Sequence, residues 1–327
     1  MDEKYWIAMD GGGTKTLSVL GDKNGKIVAF AAGPSTNIHS NSQVDVRNTL
    51  ILLIEELIRK TNKYEHQIEQ IQLCLAGCGR VDDANLVLSL LEDKNYSSKI
   101  KIKNDAEAAL AAGTWGEPGV VLIAGTGSIA YSIDPLKNQT IRVGGWGNII
   151  GDEGSGFYIG KEGLNSVLKQ YDGRGSETLL TPNILKYFNI EEPPDIITKL
   201  NQSENKRTEI AKLARIVIEA AEHGDQVAIQ IINDAIAHLK ALIITIQSLN
   251  LFSGRIPVVL AGGLFLNSYF RNLFYKEMEA QSLNIQLIES SVPPVIGSYI
   301  LSLKESGLHI TKEHILNMRN SWVSFLK

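Results

Sequence analysis

The sequence predicts an α/β fold in two halves, each built of strands and helices. Short apolar runs of strand length alternate with helical patterns along the chain, and three of these runs end directly in glycines. The predicted elements of the first half follow the order strand, strand, strand, helix, strand, helix, strand, helix, and the second half also begins with three strands. With 327 residues, of which 44% are hydrophobic, the chain is long enough to form two domains.

The first half is predicted to form five strands and three helices. Asn24-Gly25 lies between the second and third strands and is typical of a tight hairpin turn. Apolar residues at helical spacing predict the helices. The strands are predicted at 5–9, 16–21, 26–31, 71–76 and 100–103, and the helices at 44–60, at 83–91 and from Ala106.

The second half is predicted to repeat the three opening strands and then to be mostly helical. A turn at 134–138 separates the second and third of these strands. Glycines and a proline cluster at 113–119, which predicts the boundary between the halves there. The polar run at 201–207 is predicted to be a solvated loop without a functional role. The strands are predicted at 120–124, 129–133, 140–143, 256–260 and 284–289, and the helices between 155 and 250, at 267–279 and from Val295.

Three glycine turns follow predicted strands, at 10–16, 125–128 and 261–263. Because glycine has no Cβ, the backbone amides of such turns can approach a phosphate closely. The first turn lacks the spacing and the Gly-Lys-Ser/Thr ending of a P-loop. The second matches the dinucleotide-binding pattern, but a strand, a turn and a strand follow it where that site needs a helix. The three turns together predict a nucleotide held from several sides.

The composition excludes several other classes of function. A net charge of -4 and a pI near 5.9 argue against a nucleic-acid-binding groove. No uninterrupted apolar stretch looks long enough to span a membrane, and residues 2–4 precede only a strand-length apolar run, so no secretory signal is expected. Cys74 and Cys78 are too few for a disulfide framework. We therefore expect a cytoplasmic protein.

Six motifs in this order resemble those of the acetate and sugar kinase, hexokinase and actin superfamily. They lie at 10–16, 35–37, 104–106, 125–128, 144–155 and 261–263. Within that superfamily the chain resembles the N-acetylglucosamine kinase group of BadF/BadG/BcrA/BcrD ATPase-like proteins, and the long run at 144–155 is the most specific match. The resemblance implies a two-lobed actin-like (ribonuclease H-like) ATPase fold with a five-stranded mixed sheet in each lobe and a cleft between the lobes. One lobe would comprise residues 1–114 and 298–327 and the other residues 115–297, and a homodimer is usual.

The same resemblance implies ATP and Mg²⁺ as cofactors. Asp10 would orient the Mg²⁺ ion, usually through water, because magnesium keeps much of its hydration shell. Lys15 could equally be a solvated side chain, Ala211 a small core residue and Asn267 a helix-facing polar residue. The residues implied to bind the nucleotide are Gly11, Gly12, Gly13, Thr14, Lys15, Gly125, Thr126, Gly127, Ser128, Ala211, Gly262, Gly263 and Asn267.

Asp105 is the candidate catalytic base. It follows a predicted strand, where the carboxyl ends of strands open into a ligand site, and a carboxylate there can accept the proton of a sugar hydroxyl as phosphoryl transfer proceeds. Taken alone, an Asp at the start of a helix favours the interpretation as an ordinary helix N-cap. The motif match at 104–106, in its place between the other motifs, favours the base.

The implied sugar site consists of side chains and glycines that offer hydrogen bonds to hydroxyls. Its residues are Asn37, Asp105, Gly145, Trp146, Gly147 and Asp152. The segment 152–155 could also cap the following helix. His39 stands where some relatives have an aromatic residue near the N-acetyl group.

The resemblance implies transfer of the γ-phosphoryl group of ATP to the 6-hydroxyl of an N-acetylated amino sugar. N-acetylglucosamine is the first candidate, with N-acetylmuramic acid as a further one. Glucosamine kinase is the nearest alternative, but a cationic amine would need an additional carboxylate that the sequence does not reveal. A nucleotide-switched activator of a 2-hydroxyacyl-CoA dehydratase is the alternative from another class. Such an activator would hold an iron-sulfur cluster through cysteines, whereas Cys74 and Cys78 are predicted to be small buried packing residues.

Overall fold

The computed structural model describes residues 3–63, 65–134, 139–249, 251–280 and 283–325. It forms two compact units, one of residues 1–119 and 288–327 and the other of residues 120–287. The chain thus returns to the first unit at residue 288, before its last two helices. The sequence analysis predicted this return at Ser298, which lies within a helix.

Among the described residues, the first unit contains a five-stranded mixed sheet in the order β3-β2-β1-β4-β5. Strand β1 pairs antiparallel with β2 and parallel with β4, and β4 pairs parallel with β5. The turn between β2 and β3 has Gly25 at φ +84°, as the Asn-Gly pair predicts. The strands are β1 (Tyr5–Gly11), β2 (Lys15–Asp22), β3 (Ile27–Pro34), β4 (Ile68–Leu75) and β5 (Ile100–Asn104), and the helices that precede the second unit are α1 (Gln43–Thr61), α2 (Val81–Ser89) and α3 (Asp105–Thr114).

The second unit repeats this topology. Its described strands form one sheet in the order β10-β9-β6-β7-β8, which is the order of the first sheet read from the other edge. Strands β7 and β8 pair antiparallel as predicted, while residues 135–138 of the predicted turn between them lie outside the described residues. The strands are β6 (Val120–Ala124), β7 (Ser128–Ile133), β8 (Thr140–Gly144), β9 (Ile256–Ala261) and β10 (Ile285–Glu289).

The remaining helices follow the chain order. In the second unit they are α4 (Gly156–Tyr171), α5 (Leu180–Phe188), α6 (Asp195–Gln202), α7 (Lys206–Lys212), α8 (Ala214–Glu222), α9 (Gln226–Ser248) and α10 (Ser268–Glu279). The last two, α11 (Pro294–Glu305) and α12 (Lys312–Ser324), belong to the first unit.

Strand β1 is buried on both faces of its sheet, which explains its unbroken apolar sequence. Ile7 and Met9 lie in the apolar cluster that includes the buried face of α1. Trp6 and Ala8 point to the opposite face and join a second cluster with α11. A central strand covered by helices on both sides needs apolar residues at every position, and an alternating pattern would fail there.

Among the described residues, helix α9 (Gln226–Ser248) is long and apolar enough to cross a membrane by length and composition alone. Its apolar sequence is interrupted, however, by Asp234 and Lys240, so the expectation of no uninterrupted apolar stretch of that length is not contradicted. Ile232, Ala235, Ile236 and Leu239 on one side of this helix are buried in the core cluster of the second unit. The apolar composition of α9 is therefore accounted for by packing within that unit.

Candidate active site

Asp10 and Asp105 lie at the carboxyl ends of β1 and β5, the two strands on either side of β4 in the first unit. In the sheet register, Gly11 of β1 pairs with Leu75 of β4, and Leu75 pairs with Asn104 of β5. Asp10 directly precedes Gly11, and Asp105 directly follows Asn104. This is the sheet edge at which α/β proteins bind ligands.

Asp10 and Asp105 interact electrostatically. Burial, and to a lesser extent the negative charge of Asp105, raises the pKa of Asp10 to about 7, while the charge of Lys15 opposes both effects. Burial likewise raises the pKa of Asp105 to about 6, although hydrogen bonds from the backbone amides of Asp105 and Ala106 oppose the shift. Among the described residues, the Asp10 carboxylate has no hydrogen bond or ion pair. Two carboxylates in one desolvated place form a site that a cation would stabilise.

We expect Asp10→Asn to stabilise the fold in metal-free buffer, and more so at about pH 8 than at about pH 5. Because the pKa of Asp10 is raised, its ionised form costs folding free energy; this cost grows as the pH rises from the unfolded pKa towards about 7. The expected gain at about pH 8 is about 1 to 3 kcal/mol in urea unfolding. Asp82→Asn, which removes an exposed carboxylate, should change stability little at either pH. A loss of stability in Asp10→Asn at the higher pH would contradict the electrostatic account.

Asp105 is not the N-cap of helix α3. The N-cap is Asn104, whose side chain accepts from the Ala106 amide at 2.9 Å, and Glu107 completes a capping box. The Asp105 carboxylate also accepts from the Ala106 amide, at 3.0 Å, so this amide keeps a partner without it. The helix therefore does not require a carboxylate at position 105.

The first glycine turn approaches its neighbours closely at one end and is open at the other. A Cβ on Gly11 would lie 2.1 Å from Thr36 Oγ1, so only glycine fits there. Ser35 Oγ donates to the Gly12 carbonyl at 2.9 Å and ties the turn to the 35–37 segment. Gly13, Thr14 and Lys15 are exposed, and nothing lies within 4 Å of a Cβ at Gly13. The open end offers backbone amides to a ligand.

Asn37 and His39 lie near a carboxylate that the sequence analysis missed. Asn37 Oδ1 accepts from the His39 amide at 2.9 Å, which leaves the side-chain NH₂ of Asn37 to point elsewhere. His39 Nε2 lies 3.5 Å from Asp83 Oδ1. The charges of Asp83 and Asp105 both raise the pKa of Cys78, so this thiol lies near both carboxylates. The signal for Asp83 was its position at the start of a predicted helix directly after the 71–76 strand.

Cys74 and Cys78 are free and buried. Burial is the main cause that raises the pKa of Cys78 to about 12, and it raises the pKa of Cys74 further still above the ordinary range. Burial therefore favours the neutral thiol form of both side chains. Within the described ranges, no group of three or more His, Cys, Asp or Glu side chains could hold a metal ion.

The second glycine turn, at 125–128, is hydrogen-bonded to the start of helix α4. The Gly125 carbonyl accepts from the Gly156 amide at 2.7 Å, and the Thr126 carbonyl accepts from the Phe157 amide at 3.3 Å. Ser128 Oγ donates to a backbone carbonyl, that of Glu153, at 2.7 Å. The Ser128 hydroxyl thus has a structural partner, whereas the exposed Thr126 and the backbone of the turn are left for a ligand.

The third glycine turn lies beside the second. Gly262 has φ +97°, and a Cβ there would lie 2.4 Å from the Ala124 carbonyl oxygen. A Cβ on Gly125 would lie 3.9 Å from the Gly263 amide nitrogen. A Cβ on Gly156 would lie 3.0 Å from the Gly125 carbonyl oxygen and 3.3 Å from that of Ala211, so Ala211 is at the same end of the unit. The structure therefore brings together most residues implied for the nucleotide in this unit.

Asn267 has a structural role that the sequence analysis did not assign. Its side chain accepts from the Phe270 amide at 3.0 Å and forms the N-cap of helix α10. The amide NH₂ group of this side chain remains for a ligand.

The 144–155 segment combines strained backbone with a buried carboxylate. Gly144, Gly145 and Gly147 have positive φ, as does Asp152 at +59°. Asp152 is 3% exposed, and its Oδ1 accepts from the Gly147 amide at 3.3 Å. Its other oxygen, Oδ2, lies 2.8 Å from Arg207 Nη2.

Asp152 is 3% exposed and each of its carboxylate oxygens already has one protein partner, so only the second lone pair of each oxygen is left to accept from a sugar hydroxyl. The 152–155 segment also caps helix α4, as its sequence suggested, through Ser155, which accepts from the Tyr158 amide at 3.2 Å. Trp146, by contrast, is 62% exposed, with the Arg142 guanidinium 4.4 Å from the centre of its ring.

The sequence suggested that the polar run at 201–207 is a loop, but part of it is helical. Helix α6 ends at Gln202 and helix α7 begins at Lys206, so Arg207 is helical. Its ion pair with Asp152 joins two segments that are far apart in the sequence, which is why the local pattern could not reveal it.

The sequence profile of the BadF/BadG/BcrA/BcrD ATPase family matches residues 7–302. The chain belongs to this family. Over 92% of its length, it is 31% identical to an N-acetylmuramic acid/N-acetylglucosamine kinase from Clostridium acetobutylicum, and the match covers 99% of that protein. Over 93% of its length, it is 32% identical to an N-acetyl-D-glucosamine kinase from Dictyostelium discoideum, again with 99% of that protein covered.

The fold is also shared with solved structures. A candidate N-acetylglucosamine kinase from Chromobacterium violaceum superposes with a TM-score of 0.76 at 22% identity, covering 93% of this chain and 100% of that one. A ROK family glucokinase from Streptomyces griseus, in complex with glucose and AMPPNP, gives a TM-score of 0.54 at 14% identity, covering 91% of this chain and 98% of that one. These similarities confirm the predicted α/β fold with two mixed five-stranded sheets.

Proposed function

We propose that this family member is an ATP-dependent kinase that phosphorylates the 6-hydroxyl of an N-acetylated amino sugar. N-acetylglucosamine is the expected substrate and N-acetylmuramic acid a further one, in line with the relatives that match almost the whole chain. The observation that carries the proposal is the Asp105 carboxylate, which lies at the carboxyl end of β5, has a raised pKa and is not needed as a helix cap. We further propose a cytoplasmic homodimer, as is usual in the family that the sequence resembles.

In this mechanism Asp105 is the general base. A pKa of about 6 leaves its carboxylate ionised at neutral pH and still basic enough to accept a proton from the sugar. As the 6-oxygen forms its bond to the γ-phosphorus, the bond from that phosphorus to the β-γ bridging oxygen breaks and ADP leaves. The hydroxyl proton passes to the Asp105 carboxylate.

The donor set at Asp10 fits a Mg²⁺ ion. Asp10 offers a desolvated carboxylate oxygen that has no partner among the described residues, and the nearby Asp105 carboxylate adds negative charge. Magnesium favours such carboxylates together with water and phosphate oxygens. When bound, it would neutralise charge on the phosphates, and Asp10 is the residue that would hold it.

We assign the phosphates of ATP to the backbone amides of the glycine turns. In the first unit, the stretch from Gly13 to Lys15 suits the terminal phosphates, since these residues are exposed and two of them lie outside the strands. In the second unit, the 125–128 turn suits a phosphate. Gly262 and Gly263 suit the adenosine, because both are exposed and the absence of side chains lets a flat base lie against the backbone. Ala211 and the NH₂ group of Asn267 border the same end of the second unit.

For the sugar, we assign direct contacts to Asn37, Gly145, Trp146 and Gly147. The Asn37 NH₂ group can donate to a hydroxyl or to the N-acetyl carbonyl, because its Oδ1 is already bonded to the His39 amide. The exposed ring of Trp146 offers an apolar face of the kind on which sugar rings pack. Asp152 shapes this site through the Gly147 amide.

One observation favours glucosamine as a second candidate. Asp83, 3.5 Å from His39 Nε2, is a carboxylate of the kind that a cationic amine would need. A glucosamine kinase from Vibrio cholerae is 24% identical to this chain over 74% of its length. His39 already pairs with this carboxylate, however, so the N-acetylated sugars remain the first choice.

An ATP-consumption assay against a panel of sugars tests the proposal. We expect turnover with N-acetylglucosamine and N-acetylmuramic acid at least about tenfold above that with glucosamine, glucose and N-acetylmannosamine. A preference of about tenfold corresponds to roughly one hydrogen bond to the N-acetyl group. The product should carry phosphate on the 6-oxygen by NMR.

The panel also separates the alternatives. A preference for glucosamine would assign the role of amine recognition to Asp83. If every sugar is inert while basal ATP hydrolysis persists, the kinase proposal is wrong and a nucleotide-switched activator gains support.

A further inference from the structure

An ion pair in the second unit lies directly against the second glycine turn. Arg207 Nη2 and Asp152 Oδ2 are 2.8 Å apart. A Cβ on Gly127 would lie 2.8 Å from each of these two atoms. The lack of a side chain at Gly127 therefore makes room for a guanidinium group beside the turn.

Asp152 fixes the guanidinium from its buried side. The carboxylate is 3% exposed, and the Gly147 amide binds its other oxygen. A buried carboxylate with both oxygens bonded has little freedom to move, since leaving either the charge or a hydrogen bond unpaired is costly.

Helix α7 fixes Arg207 through the backbone. This helix packs against α4 at two glycines, where a Cβ on Gly160 would lie 1.9 Å from the Ile210 carbonyl oxygen and one on Gly156 would lie 3.3 Å from that of Ala211. Such close helix packing leaves little play in the position of Arg207. The same α4 holds the second glycine turn through its amides.

Most of the guanidinium remains available for a ligand. The Arg207 side chain is 45% exposed, and among the described residues Asp152 is its only hydrogen-bond partner. Arginine carries five N–H donors in a planar fork that suits phosphate oxygens. Its Nη2 group uses one of them for Asp152.

We propose that Arg207 is a nucleotide-binding residue that donates to a phosphate oxygen at the 125–128 turn, with Asp152 as its positioning residue. This inference rests on the proposed function, because it requires a nucleotide at that turn. It assigns a role to a residue within the 201–207 run, which was predicted to be a solvated loop without a function.

Calorimetric titration of ADP and adenosine, without sugar, tests the role of Arg207. In Arg207→Ala we expect the affinity for ADP to fall by about 10- to 100-fold, the range for a hydrogen bond to a charged group. The affinity for adenosine should stay within about twofold, because adenosine has no phosphate. Arg207→Lys, which keeps the charge but loses the fork, should be intermediate.

Arg174→Ala is the matched control. Arg174 also pairs with an aspartate, Asp172, at 2.6 Å in the same unit, but it is 64% exposed, and in the part of the chain that the structure describes its side chain bonds to no residue of the 125–128 turn. Its loss should leave both affinities unchanged. An equal loss of ADP affinity in Arg174→Ala would show that the effect is not specific to Arg207, which would overturn the inference.

The outcomes distinguish this inference from the proposed function. Wild-type protein that binds no ADP overturns both. Wild-type protein that binds ADP and phosphorylates a sugar, with an Arg207→Ala variant of unchanged ADP affinity, overturns the role of Arg207 alone. A parallel loss for ADP and adenosine shows a merely structural role and also overturns it.

A second variant covers the case in which Arg207→Ala fails to fold. That substitution leaves the buried Asp152 carboxylate without its ion-pair partner. The double variant Arg207→Ala with Asp152→Asn removes the unpaired charge as well, and it should fold and show the same selective loss of ADP affinity. Wild-type affinity for ADP in a folded double variant would contradict the proposal.

Discussion

Asp105→Asn should lower kcat for sugar phosphorylation by about 10²- to 10⁴-fold, the usual contribution of a general base. The affinity for ATP should stay within about twofold, since the lost interaction is made in the transition state. The fold should keep its stability, because Asn104 caps helix α3 and an uncharged side chain avoids the desolvation that raises the pKa of Asp105 to about 6. Steady-state kinetics, nucleotide titration and thermal unfolding together check these three expectations.

Asn104→Ala is the control that separates capping from catalysis. It removes the N-cap while leaving the Asp105 carboxylate, so it should cost about 1 kcal/mol of stability. Its turnover should remain far above that of Asp105→Asn. The opposite pattern, with Asp105→Asn unfolded and Asn104→Ala inactive but stable, would assign the helix start to Asp105 and remove the argument for a base.

The difference between Asn104 and Asp105 illustrates what the sequence could resolve at this site. Both residue types are common N-caps, so composition alone leaves the cap position ambiguous by one residue. The backbone decides it, since Asn104 has φ -75° and ψ 147° while Asp105 is already helical. The sequence thus located Asp105 as the catalytic candidate but could not decide whether it is the base or the N-cap of helix α3.

Strand prediction succeeded where burial left a direct trace in the sequence. The run at 5–9 is apolar throughout because β1 is covered on both faces, and this needs no knowledge of the neighbours. The end of the strand was harder to predict. Glycines suggested an earlier stop, yet Gly11 still pairs with Thr16 on one side and Leu75 on the other.

The residues missed by the sequence analysis owe their positions to tertiary packing. Arg207 meets Asp152 only because α7 packs on α4, and Asp83 meets His39 only because the start of α2 lies beside the 35–39 segment. No periodic pattern or motif marks Arg207 or Asp83. Their partners are distant in the sequence, so only the folded arrangement reveals them.

Gly262→Ala should be the most destabilising of the glycine substitutions at the candidate nucleotide site. Gly262 has φ +97° and ψ 162°, a conformation that residues with a Cβ rarely adopt. Its Cβ would also lie 2.4 Å from the carbonyl oxygen and 2.9 Å from the nitrogen of Ala124, which ends a strand within the sheet and cannot easily move. We expect a loss of at least about 2 to 4 kcal/mol in urea unfolding, from backbone strain and overpacking together.

Gly263→Ala tests whether this effect comes from the backbone rather than from any added methyl group. Nothing lies within 4 Å of a Cβ at Gly263, and its φ is not in the positive range, so its stability should change by less than about 0.5 kcal/mol. The new methyl group would nevertheless stand on the surface assigned to adenosine, and ATP affinity should fall in a protein of normal stability. Equal stability of the two variants would mean that the 261–263 turn does not press against the end of β6, and the placement of the third glycine turn beside the second would then be wrong.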